Sequence, residues 1–101
     1  MQMVLIVFRN SLESDILKVL GAVGVDAYTN VRKVLGIGDA GTRLDTFEQP
    51  GFNSLILTVL DHAVATRLVE ALRRFRDESA TRQRGATIPL RAFVLPCCQA
   101  I

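Results

Sequence analysis

The chain has 101 residues, half of them hydrophobic and 22% charged, which fits one compact domain over residues 1–101 rather than a disordered segment. The net charge of +2 is too near neutral to mark a nucleic-acid binder, and no apolar run approaches the roughly 18 residues of a membrane span. The two cysteines, Cys97 and Cys98, are adjacent and point to opposite faces of any strand, so no disulfide framework is expected.

The chain opens on "MVLIVF" (3–8), an apolar, β-branched run that predicts a central buried strand. Six residues followed at once by Arg9 and Asn10 are too short for a signal-peptide core, and a cytoplasmic protein is expected. Asn10 and Glu13 have the spacing of a capping box, and Leu12, Ile16, Leu17 and Leu20 recur at helical intervals, with Glu13, Asp15 and Lys18 toward water. Gly21 and Gly24 weaken and end that helix. Residues 30–35 alternate polar and apolar, as a half-buried strand does.

"GIGDAG" follows and reads G-x-G-x-x-G through Gly36, Gly38 and Gly41. A dinucleotide fingerprint needs a helix to open directly after the glycines, and here "TRLDTFEQPG" and a strand follow. A glycine-rich hairpin connection and an anion-binding loop base remain as alternatives. "FNSLILTVL" (52–60) is the clearest strand. Asp61 caps a second helix whose stripe is Val64, Leu68, Leu72 and Phe75. Residues 78–89 are polar, hold Gly85 and Pro89, and predict a loop; "LRAFVLP" (90–96) is the last strand. Strand, helix, strand, strand, helix, strand predicts the ferredoxin-like βαββαβ fold, with both helices on one face of a four-stranded antiparallel sheet. That fold names no function.

Arg67, Arg73, Arg74, Arg76, Arg82, Arg84 and Arg91 all lie in the last third. They read as a solvated helix face running into a loop, with cations near a helix C-terminus. The sharper alternative is a phosphate-type ligand, since guanidinium forks match anionic oxygens. No catalytic set emerges, so the chain is not expected to be an enzyme. His62 is the single histidine and reads as an exposed first-turn residue, and no two carboxylates are spaced for acid/base work. The strands carry aliphatic middles, unlike a sheet that stacks RNA bases on aromatics.

"VLIVFRNSLESDILKVLGAVGVDAYTNVRKVLGIG", "NSLILTVLDHAVATRLVEALRR" and "RAFVLPCCQAI" together resemble the PII signalling family. The first is similar to that family's opening strand and helix, its "AGV" turn and a second strand ending in V-x-G-x-G. The last is similar to its closing K-I-F-V-x-P strand. The resemblance implies a homotrimer with a small anionic effector, an adenine nucleotide such as ATP, ADP or AMP, in the clefts between subunits. It also implies that residues 36–51 form a loop that signals to a target protein such as a transporter or enzyme, with no nucleic-acid partner and no membrane insertion. Gly36, Gly38, Gly41 and Arg43 would line the effector from the loop base, and Arg82, Arg84 and Arg91 from the segment before and into the last strand. The departures are plain. The loop lacks tyrosine, so uridylylation does not carry over. The family's G-R-Q-K-G is G-D-A-G here, and its T-G-x-x-G-D-G-K is replaced by "TRQRGATIPLR", with Arg91 in the place of the lysine. A second expectation, from the metal-associated CutA relatives of the same fold, makes Cys97, Cys98 or His62 ligands of a divalent metal, with no nucleotide.

Overall fold

The computed structural model describes residues 1–34 and 52–101, together with the backbone of Ile37–Gly38 and Gly41–Thr42. The described residues form six strands and two α-helices: β1 (Gln2–Arg9), α1 (Glu13–Val23), β2 (Thr29–Val34), β3 (Ile37–Gly38), β4 (Gly41–Thr42), β5 (Asn53–Leu60), α2 (His62–Arg82) and β6 (Leu90–Pro96). The main sheet has the order β2-β5-β1-β6 and every pairing is antiparallel. This is the expected ferredoxin-like arrangement, with β3 and β4 as a separate two-residue pair.

The core follows from the strand period of two. Val4, Ile6 and Phe8 of β1 and Ile56 of β5 are buried on one face, against Ile16 and Leu20 of α1 and Ala65, Leu68 and Leu72 of α2. Thr58 lies on the same face and donates its hydroxyl to the Ala27 carbonyl at 2.9 Å, which offsets the cost of burying it.

The other face of the sheet has no layer over it among the described residues. Leu5, paired with Leu57 and Phe93, lies there, as do Met3, Val59 and Leu95. Phe93 is 50% exposed, Val59 47% and Leu95 46%. The continuous apolar run of β1 thus supplies two apolar faces, and the helices cover only one of them.

Two helix boundaries depart from the sequence reading. Asn10 does not cap α1: residues Asn10–Leu12 form a 3-10 turn, and α1 begins at Glu13 without a side-chain cap. The Glu13 carboxylate is drawn to β2 instead, so the capping box loses to a tertiary contact. The second correction is at the far end of α2, which runs to Arg82 through residues expected to be loop. Ser79 is 2% exposed and Ala80 packs on the core, so the last turn is held by burial that a polar sequence conceals. The loop is therefore 83–89. It turns at Arg84 (φ 57°) and Gly85 (φ 83°), with the Gly85 N–H donating to the Ala80 carbonyl at 2.7 Å. The other expected boundaries hold. Gly24 ends α1 at φ 90°, and the Asp61 carboxylate accepts from the Val64 N–H at 2.9 Å.

Candidate functional site

One end of the sheet gathers the features singled out in the sequence. There Val34 and Arg9 both pair with Asn53, and Phe8 pairs with Leu90. The Arg9 N–H donates to the Pro89 carbonyl at 3.1 Å, and the Asn10 N–H donates to the Phe52 carbonyl at 2.8 Å. The two ends of the 35–51 connection and the segment before β6 therefore meet beside Arg9 and Asn10. The antiparallel course of α2 brings its arginine-rich C-terminal half back to the same end.

The last turn before the loop is held by a small polar network. Glu13 Oε1 accepts from Arg32 Nε at 2.6 Å and from Asn30 Nδ2 at 2.9 Å. Arg32 first, then Asn30, hold the Glu13 carboxyl below its ordinary range, and Glu13 in turn raises the Arg32 guanidinium. Between Val31 and Val34 the pairing with β5 shifts register, and Lys33 takes a left-handed φ of 59°. Strand β2 thus leaves the sheet through a bulge, which re-aims the chain as it enters the loop.

Of the glycine triplet, Gly38 and Gly41 are Cα partners in the β3–β4 pair. Their backbone is the stem of a short antiparallel hairpin. Gly36 and Arg43 lie outside the described residues.

The structure separates the three arginines named from the sequence. Arg82 donates from Nη2 to the Ser79 hydroxyl at 3.1 Å on its own helix, and Arg84 is exposed in the turn. Arg91 lies on the edge strand β6 and lines a cleft of 330 Å³ between β6 and α2, a cleft that Arg82 and Arg84 do not line. Arg73 and Arg76 line that cleft from the helix, over Val69, Leu72 and Leu90. Sequence reasoning counted these two among seven basic residues of a solvated face. The signal was their spacing: Val69, Arg73 and Arg76 fall at i, i+4 and i+7, one stripe beside the buried one.

His62 is exposed in the first turn of α2, at the opposite end of the α2–β6 seam, and lines a second cleft of 230 Å³ with Thr66, Glu70 and Val94. Cys97 is half-buried, its N–H donating to the Met1 carbonyl at 3.3 Å, and Cys98 is exposed; both are free thiols. Among the described residues no three His, Cys, Asp or Glu side chains stand together as a metal site requires. No helix among them is long and apolar enough to cross a membrane.

The family profile for nitrogen regulatory protein P-II matches residues 1–101. Among curated protein sequences there is no significant match. Solved structures do match. One is CPII from Thiomonas intermedia K12 bound to ADP and bicarbonate, at a TM-score of 0.70 and 17% identity over 93% of this chain and 82% of that one. The same protein bound to ADP, AMP and bicarbonate gives 0.69 at 18% identity, over 93% and 82%. Its apo form, a nitrogen regulatory PII-like protein, gives 0.66 at 15% identity, over 93% and 85%. At these identities the likeness carries the fold, and the family match covers the whole sequence. The chain belongs to the nitrogen regulatory protein P-II family.

Proposed function

We propose that this protein is a trimeric regulator that senses an adenine nucleotide in clefts between subunits and signals to a target protein through residues 36–51. The observation that carries the reading is the convergence at one end of the sheet. The two ends of the 35–51 connection, the segment before β6 and the basic end of α2 meet where an effector can touch both ends of the loop. The uncovered apolar face supports a trimer, since a face of this kind is stable in water when other copies cover it. The solved relative bound to ADP, AMP and bicarbonate supports an adenine nucleotide or a small anion as the effector class.

In this reading the backbone around Gly36, Gly38 and Gly41 supplies N–H groups to anionic oxygens, and Arg43, Arg82, Arg84 and Arg91 supply charge. Differential contact of the ligand with two loop states shifts their populations, and the favoured state meets a transporter or enzyme. The protein acts as a regulator in the cytoplasm and catalyses no reaction.

The reading is tested by calorimetry with ATP, ADP and AMP on the intact protein and on Arg91→Ala. One nucleotide is expected to bind, and the variant is expected to bind it more weakly while remaining a trimer. No heat with any of the three would overturn the nucleotide reading, and unchanged affinity in the variant would remove Arg91 from the site.

A further inference from the structure

We infer that the cleft between α2 and β6 is a second, independent anion subsite, in which Arg73 and Arg76 hold the phosphate of a small organic phosphate whose apolar body rests on the cleft floor. Four observations carry this. Helix α2 leaves the helix-bearing face of β6 uncovered beyond Leu90: Ala92 and Val94 on that face are exposed, and the gap is a cleft of 330 Å³, within the size range of small-ligand sites. Its floor is apolar, from Val69, Leu72, Leu90 and Ala92. Its rim carries two guanidinium groups from the helix, Arg73 and Arg76 one turn apart, whereas Arg91, paired with Val7, is directed by the strand period to the other face of β6; no carboxylate lines the cleft. Among the described residues no carboxylate pairs with Arg73 or Arg91, and Arg76 makes only a 3.3 Å contact with its exposed neighbour Asp77.

Two cations one turn apart on the rim repel one another, and the low dielectric of the floor strengthens both that repulsion and the attraction of an incoming anion. A phosphate relieves the repulsion and accepts from two guanidinium forks at once. The apolar floor selects a phosphate attached to a carbon framework over the free ion, which would leave the floor wet. The cleft opens at the β6 edge, lined by Ala92 from the helix-bearing face and reached by Phe93 from the apolar face, and its phosphate contacts, Arg73 and Arg76, are not among the residues of the nucleotide reading.

The test is a titration of the full chain with phenyl phosphate, followed by backbone amide NMR, with inorganic phosphate and phenol as separate arms. Phenyl phosphate is expected to shift the amides of residues 69–76 and 90–93 with a dissociation constant of about 1 mM or tighter, and each half-molecule is expected to bind more weakly. The Arg73→Gln, Arg76→Gln double variant changes two exposed side chains outside the core. It is expected to keep the wild-type spectrum elsewhere and to lose about tenfold or more in affinity for phenyl phosphate. Unshifted amides in both segments would overturn the inference, as would shifts confined to residues flanking 35–51. Equal affinity in the double variant would also overturn it. Tighter binding of inorganic phosphate than of phenyl phosphate would remove the organic part of the claim.

Discussion

Phe93 gives the sharpest handle on the uncovered face of the sheet. It pairs with Leu5 from the edge strand β6 on that face and is 50% exposed in the single chain. A phenylalanine has about 150–250 Å² to bury, so half exposure leaves on the order of 100 Å² for a neighbouring copy to cover. At about 25 cal/mol per Å², and allowing for the Cβ that alanine retains, Phe93→Ala removes about 2 kcal/mol per subunit. A trimer loses about 6 kcal/mol, or about four decades in its dissociation constant. The midpoint concentration follows the square root of that constant, so it rises by about two decades. Sedimentation velocity over a dilution series reads this directly. The same substitution costs the isolated fold less, because the ring's exposed half touches nothing within one chain. A midpoint within threefold of wild type would refute the claim that other copies cover this face.

Three further outcomes follow from the fold. Leu68→Ala empties a fully buried position in the core and is expected to cost about 2–5 kcal/mol by urea unfolding; a loss under about 1 kcal/mol would mean that the site is less tightly packed than its burial indicates. Asp61→Ala removes the cap on the Val64 N–H and is expected to cost about 1 kcal/mol, a fall of about 4–8 °C in Tm, and Asp61→Asn is expected to restore most of it. Glu13 has a folded pKa held below 4.5 by Arg32 and Asn30, so its contribution is full above that value and disappears as pH falls through the lowered one. Wild type is therefore expected to lose more stability than Glu13→Gln as pH drops from about 5 to about 3, and parallel stability curves would contradict the network.

The main strands were legible because their chemistry is local and repeats. The aliphatic run of 52–60 marks β5, alternation over 30–35 marks β2, and the apolar run of 3–8 marks β1 as a central strand, although this chain covers only one side of it with its own helices. What was not legible depended on partners distant in sequence. Glu13 has capping spacing, yet it bonds Asn30 and Arg32, 17 and 19 residues away. The last turn of α2 reads as loop by composition, and the burial of Ser79 with the packing of Ala80 on the core accompanies its helical form. Arg73 and Arg76 look like solvated charges until β6 is set beside them, because the cleft they rim belongs to two elements and to neither sequence alone. Arg82 and Arg91 stand close in sequence, yet one is turned back onto Ser79 and the other lines the cleft.

Native mass spectrometry with ADP tests the central claim most directly, because one spectrum reads both assembly and ligand. A regulator of the proposed kind appears at three times the 11.1 kDa chain mass and adds ADP in steps up to one per subunit. A species at 11.1 kDa, or a trimer that takes up no ADP at saturating concentration, would contradict it.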